Sequence, residues 1–270
     1  MGIPTETVYG LAALARRPLA LRQVFARKGR PVDHPLIVHL PDAAALEAWA
    51  RPGPAARARA DALGRAFWPG PLTLVLPRAP GVPDELTGGR DTVAVRIPAH
   101  PLAQALLRAL GDGLAAPSAN RFGRVSPTCA ADVWAELGEG LPVLDGGPCA
   151  LGLESTIVDL SPLEAPGGRP ALLRPGALPV EALLPLTGPL GESATPAPGT
   201  HAAHYAPRTS LLLSADAAAE AEALRARGLR VAVLPVGELP DRARGLDAAR
   251  RARDGSGADG RVAALGPAEG

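Results

Sequence analysis

Short apolar runs, broken at close intervals by glycine and proline, set the layout of this chain. Residues 19–26 read as a helix that stops at Lys28-Gly29-Arg30-Pro31, where glycine and proline punctuate it. Pro35-Leu36-Ile37-Val38-His39-Leu40 has the β-branched apolar character of a buried strand. Further helices are predicted over residues 43–50, 55–67, 101–110 and 130–137, the second stopped by Trp68-Pro69-Gly70-Pro71. Further strands are predicted over residues 72–76, 92–97, 114–116, 141–144, 155–160 and 171–174. Helices and strands alternate, yet hairpin-like connections such as Gly167-Gly168 intervene. That pattern predicts an α/β fold with a twisted, mixed open sheet and helices packed on it, without an internal repeat.

The pattern changes near Gly188. Residues 188–207 are rich in Pro, Gly, Ala, Ser and Thr and read as a linker. Beyond it a strand (210–213), a helix (217–227) and a strand (229–235) make one βαβ unit, while residues 246–270 offer little to bury and read as a disordered tail. The expected layout is a main domain over 1–187, the linker, and a small, truncated Rossmann-like α/β domain over 208–270.

Composition narrows the function. The formal net charge is +1 over 270 residues, so no global field recruits nucleic acid or an anionic membrane. Direct RNA binding is accordingly expected to be absent or weak. Cys129 and Cys149 fit no metal-ligand spacing, no apolar run reaches membrane-spanning length, and no signal peptide opens the chain, so a reduced, cytoplasmic setting is expected. Of the 28 basic residues only Lys28 is lysine, and Asn120 is the one asparagine. A lone lysine in a chain that otherwise uses arginine points to a place where a guanidinium does not serve.

Several segments could carry chemistry. Lys28-Gly29-Arg30 sets an ammonium beside a guanidinium, which suits a polyphosphate, and equally suits a helix C-terminus whose cations complement the dipole. Pro117-Ser118-Ala119-Asn120 with Ser126-Pro127-Thr128 sits between a strand and a helix, fit for an anion or for ordinary capping. Arg96 lies in an apolar strand, where a charge needs a ligand or a buried partner, and His39 is a buried histidine. Ser155-Thr156 and Arg174-Pro175-Gly176 stand at strand ends, where open sheets place ligands. These groups fit binding and electrostatic stabilisation rather than covalent catalysis, and no metal cluster stands out.

Taken in order, these segments resemble one family, the YrdC-type threonylcarbamoyl-AMP synthases in their long two-domain form. The resemblance rests on Pro4-Thr5-Glu6-Thr7-Val8-Tyr9-Gly10-Leu11, Lys28-Gly29-Arg30-Pro31 with Pro35-Leu36-Ile37-Val38-His39, and Trp68-Pro69-Gly70-Pro71-Leu72-Thr73. It continues through Asp91-Thr92-Val93-Ala94-Val95-Arg96-Ile97-Pro98, Pro117-Ser118-Ala119-Asn120, Glu154-Ser155-Thr156-Ile157 and Leu173-Arg174-Pro175-Gly176, covering nearly all of residues 2–180. It implies that L-threonine, bicarbonate or CO2, and ATP are joined into L-threonylcarbamoyl-AMP with release of pyrophosphate. The product would serve threonylcarbamoyl-adenosine formation in tRNA through a downstream transferase complex. The resemblance places Thr7, His39, Arg96, Ala116 and Ser155 on the threonine side. Arg30, His34, Thr92, Ser118, Asn120, Ser126 and Arg174 fall on the ATP side, with Lys28 and Arg30 as catalytic cations. It implies Mg2+ held mainly by the phosphates of ATP, with no protein metal site.

Three features depart from the family. The chain starts at the first motif strand, without the helix and strand that precede it there. His204-Tyr205-Ala206-Pro207 matches the linker signature and reads as a lid over ATP, but Ala202 stands where the family has its first aromatic. The C-terminal domain is short. Two other readings compete: a nucleotide- or RNA-binding module without catalysis, and a carbamoyl-adenylate-forming domain.

Overall fold

The computed structural model describes residues 1–191, 210–214, 216–236 and 261–267. Two compact units divide the chain, Met1–Tyr205 and Ala206–Gly270. In the first unit, β1 (Gly2–Ile3) and β2 (Gly10–Leu11) pair antiparallel and enclose a turn over residues 4–9. The main sheet is built from β3 (Ala13–Leu14), β4 (Ile37–His39), β5 (Leu72–Pro77), β6 (Thr92–Arg96), β7 (Leu114–Ala115), β8 (Thr156–Asp159) and β9 (Ala171–Arg174). Its order is β3-β7-β4-β6-β5-β8-β9, with β4-β6 and β5-β8 parallel and the other pairs antiparallel. The expected mixed, twisted sheet is the observed one.

Six helices accompany it: α1 (Pro18–Lys28), α2 (Pro54–Phe67), α3 (Asp84–Thr87), α4 (Pro101–Leu110), α5 (Ala130–Leu137) and α6 (Val180–Thr187). Alternation along the strands decides which face they cover. Leu72, Leu74 and Leu76 of β5 join Val38, Val93, Val95 and Val158 in the main core, with Leu21 and Phe25 of α1, Ala60 and Leu63 of α2, and Leu183 of α6. Each fully buried leucine there contributes roughly 1.5–3 kcal/mol. The opposite face keeps only a small apolar cluster, Ile37, Val75, Ala94 and Ile157.

Strand register writes polar groups into that second face. His39 pairs with Arg96, Arg96 with Thr73, Thr73 with Ile157 and Ile157 with Arg174. Because residues opposite one another across a sheet point to the same side, one row across five strands carries His39, Arg96, Thr73 and Arg174.

Two local expectations differ from the structure. Residues 141–144 form no strand; they make a single bridge, Gly2 to Val143, where Pro142 has no N–H to extend a ladder. Residues 43–50, expected as helix, give only the 3-10 turn Ala44–Ala48.

The second unit contains β10 (Ser210–Leu213), α7 (Ala217–Ala226), β11 (Arg230–Val236) and β12 (Arg261–Pro267) in a parallel sheet of order β10-β12-β11. Asp216 caps α7 by accepting from the Ala219 N–H at 3.0 Å. The assignment of the whole of residues 246–270 to a disordered tail is therefore corrected: Arg261–Pro267 is the middle strand, its backbone paired on both edges. The linker calls at His204 and Tyr205 lie outside the described residues.

Candidate active site

The polar face of the sheet opens into a cleft whose walls come from separate chain segments. The turn after β1 forms one wall. Thr5 Oγ1 accepts the N–H groups of Thr7 and Val8 at 3.2 Å each and donates to Val8 O at 2.6 Å, which holds the turn closed. Tyr9 O–H donates to Gly147 O at 2.7 Å and anchors the turn from behind. The Pro117–Asn120 loop forms the next wall, joined to the turn by Leu11 N–H to Pro117 O (2.7 Å) and Ala119 N–H to Tyr9 O (2.8 Å). The remaining wall is His39 and Arg96 of the strand row, with Glu154 and Ser155 before β8 and Arg174 at the end of β9.

α1 delivers the Lys28-Gly29-Arg30 segment. Gly29 closes the helix at φ 62°, a left-handed conformation that glycine adopts without steric cost, and the chain turns there so that Arg30 enters the cleft. Arg30 Nη2 donates to Pro35 O at 2.7 Å, while its Nε has no hydrogen-bond partner among the described residues. Burial lowers its pKa to about 10, Glu154 opposing this and Arg174 adding to it. An unmatched N–H on a buried cation invites an anionic ligand.

Lys28 behaves differently. Its Nζ donates to Ser118 O and, at 2.6 Å, to Asn120 O, and the residue is 3% exposed. It does not line the cleft. The catalytic cation expected at position 28 thus faces the loop rather than the cleft: a cation so buried needs acceptors, and the loop carbonyls supply them. Burial, reinforced by Arg30, lowers its pKa to about 7. A neutral amine still has two N–H bonds for the two carbonyls, so the clamp survives deprotonation. Asn120, turned inward, donates Nδ2 to the carbonyls of Arg121 and Arg124 at 2.8 Å each and so closes its own loop.

Of the residues expected on the threonine side, Thr7, His39, Arg96, Ala116 and Ser155 all line the cleft. His39 is held neutral: burial and then Arg96 lower its pKa to about 3, and its Nδ1 is without a partner among the described residues. Arg96 donates Nε to Gly70 O at 3.1 Å and Nη2 to Glu6 Oε1 at 2.6 Å, which uses two of its five donors. Glu6 also accepts the Ala99 N–H at 2.9 Å. Arg96 is thus both a buried ion-pair partner and a wall of the cleft.

The residues expected on the ATP side divide. Arg30, Ser118 and Arg174 line the cleft; His34, Thr92, Asn120 and Ser126 do not. His34 packs its ring against Phe122 at 5.3 Å. Thr92 shares a strand face with Arg96 but stands four residues away, roughly 13 Å along β6. Ser126 donates its hydroxyl to Glu154 Oε1 at 2.7 Å. Arg174 donates Nη1 to Glu154 Oε2, and Nε and Nη2 to Ser155 O at 3.1 and 2.7 Å.

Sequence reasoning missed the two carboxylates. Glu6 and Glu154 both lie inside quoted motifs, and the signal for them was arithmetic: buried arginines require counter-charges. Among the described residues no group of three or more His, Cys, Asp or Glu could hold a metal, and no helix is long and apolar enough to cross a membrane.

The arrangement matches known proteins. A Sua5/YciO/YrdC family model, described as telomere recombination, matches residues 1–176, and a second, described as the C-terminal domain of threonylcarbamoyl-AMP synthase, matches residues 177–264. A threonylcarbamoyl-AMP synthase of Pyrococcus abyssi is 44% identical over 223 residues, spanning 79% of this chain and 63% of the relative. Its counterpart in Bacillus subtilis is 42% identical, spanning 79% and 62%. The chain thus spans a little under two thirds of the length of these curated relatives. The crystal structure of P. abyssi Sua5 complexed with L-threonine superposes with a TM-score of 0.80 at 36% identity, covering 99% of this chain and 85% of that one. With a family model over more than half its length and this fold beneath the cleft, the chain belongs to the Sua5/YciO/YrdC family.

Proposed function

We propose that this protein makes L-threonylcarbamoyl-AMP from L-threonine, bicarbonate or CO2, and ATP, releasing pyrophosphate. The observation that carries the reading is a single cleft with two unlike halves: a neutral His39 beside Arg96 and Thr7, and a cationic half with Arg30 and Arg174. A solved relative, P. abyssi Sua5, holds L-threonine, which supports threonine as the occupant of the first half. Arg96 keeps donors for the amino-acid carboxylate, and Ser155 and Thr7 offer hydroxyls.

In this reading the threonine amine first takes up CO2, forming N-carboxythreonine. A carbamate oxygen then attacks the α-phosphorus of ATP, the bond to the β-phosphate bridge breaks, and pyrophosphate leaves. Arg30 and Arg174 offset charge growing on the leaving group, and Lys28 contributes by fixing the Ser118–Asn120 backbone rather than by touching phosphate. Holding three small substrates together supplies up to ~7–11 kcal/mol of entropic advantage in favourable cases. A divalent cation held mainly by the ATP phosphates would add to the charge stabilisation that Arg30 and Arg174 provide. The product is chemically a mixed anhydride, suited to a transferase complex that acylates tRNA in the cytoplasm.

The test is pyrophosphate release measured with each substrate omitted in turn. Release that requires both threonine and bicarbonate is the expected result. Release indifferent to threonine removes the threonine assignment.

A further inference from the structure

The cationic half of the cleft already contains an anion. Glu154 is a cleft residue with a side chain 13% exposed, and its two oxygens accept from Ser126 Oγ and Arg174 Nη1. Its charge also reaches Arg30 and Lys28, in each case opposing the lowering that burial imposes. Two of the donors expected to meet a polyphosphate are therefore turned to a carboxylate of the protein itself. A phosphate at the same place competes for those donors and is repelled by the same charge.

The guanidinium is held independently of this contact. Arg174 Nε and Nη2 donate to Ser155 O, and Nη2 also reaches Ser155 Oγ at 3.1 Å. Ser155 Oγ lies 2.7 Å from Thr73 Oγ1, which ties the group to the sheet. Glu154 is fixed by its backbone as well, its carbonyl accepting the Ala177 N–H at 2.8 Å. Its side chain can withdraw while Arg174 stays aligned.

We propose that Glu154 is a resident counter-anion of the phosphate half: it holds Arg174 in the cleft and Ser126 beside it, and yields both to an incoming pyrophosphate group. This rests on the reading of Arg30, Ser126 and Arg174 as the phosphate side. The consequence is selectivity by charge. Inorganic phosphate gains little by replacing a carboxylate on the same donors, whereas a pyrophosphate group also reaches Arg30. Glu154 is a positioning residue for the nucleotide and acts through Arg174 and Ser126.

The test measures binding of metal-free pyrophosphate, inorganic phosphate and L-threonine by calorimetry in excess chelator. Glu154→Gln is expected to bind pyrophosphate tighter by roughly 5- to 10-fold, the scale of one like-charge contact removed under full water screening. Inorganic phosphate affinity rises as well, and threonine affinity stays within about 2-fold because Arg96 and His39 are untouched. Glu154→Ala, made in parallel in case the amide variant does not fold, moves in the same direction. Glu154→Asp, which keeps the charge, stays near the unaltered protein. Unchanged or weaker pyrophosphate binding by both neutral variants overturns the proposal. If the unaltered protein binds threonine but neither pyrophosphate nor ATP, the phosphate reading fails first and takes this inference with it.

Discussion

Single residues show where charge alone misleads. Lys28 stands out in the sequence by its rarity, yet a sequence shows that a cation exists and not which way its ammonium faces. The structure turns it to two carbonyls. Its folded pKa of about 7 lies below the ordinary lysine value of 10.5. Between those values the unfolded chain binds the proton that the folded chain has lost, so Lys28 makes stability rise as pH increases through that window. Urea unfolding from pH 7 to 9 is expected to show this rise, by up to about 1.4 kcal/mol per pH unit, in the unaltered protein relative to Lys28→Met. Equal pH slopes in the two proteins refute the burial argument. Glu6 and Glu154 were illegible for a related reason. The Glu6–Arg96 bond spans 90 residues, and nothing in either motif names its partner.

At the scale of elements, the sheet was readable because apolar β-branched runs between glycine and proline leave few other options. Strand positions at 72–76, 92–97 and 171–174 agree with β5, β6 and β9 within a residue. Where a segment's role depends on partners far along the chain, reading failed. Arg261–Pro267 lacks a strong pattern and becomes a strand because β10 and β11 flank it. Close approach between elements was also invisible. A Cβ on Gly176 would lie 2.4 Å from Glu154 O and 2.6 Å from Thr156 N, backbone that cannot swing aside. Gly176→Ala is therefore expected to cost about 1–3 kcal/mol in thermal unfolding and to displace residues 154–156. Threonine-dependent pyrophosphate release should fall at temperatures where the variant is still folded. A variant with unaltered melting and turnover would show that β8 and the turn after β9 have slack.

For the molecule as a whole, the cleft belongs to no single segment. His39, Arg96, Thr73 and Arg174 come from four strands, and their row exists only when β4, β6, β5, β8 and β9 hold register together. A one-residue slip of any strand would send its polar group to the core face. The burial of Lys28 ties a chemical reporter to that cooperative state. Half-deprotonated near neutrality, it would be an eager nucleophile toward an acylating reagent if the reagent could reach it. At 3% exposure it is sheltered by packing rather than by protonation, and no other lysine side chain competes for the label. Intact-mass kinetics should therefore show side-chain acylation far slower than for free lysine, speeding up only as the protein opens. Labelling at the rate of an exposed amine would contradict the clamp. A rarity of composition thus becomes a stopwatch for the opening of the fold around Lys28, read with a single acylating reagent.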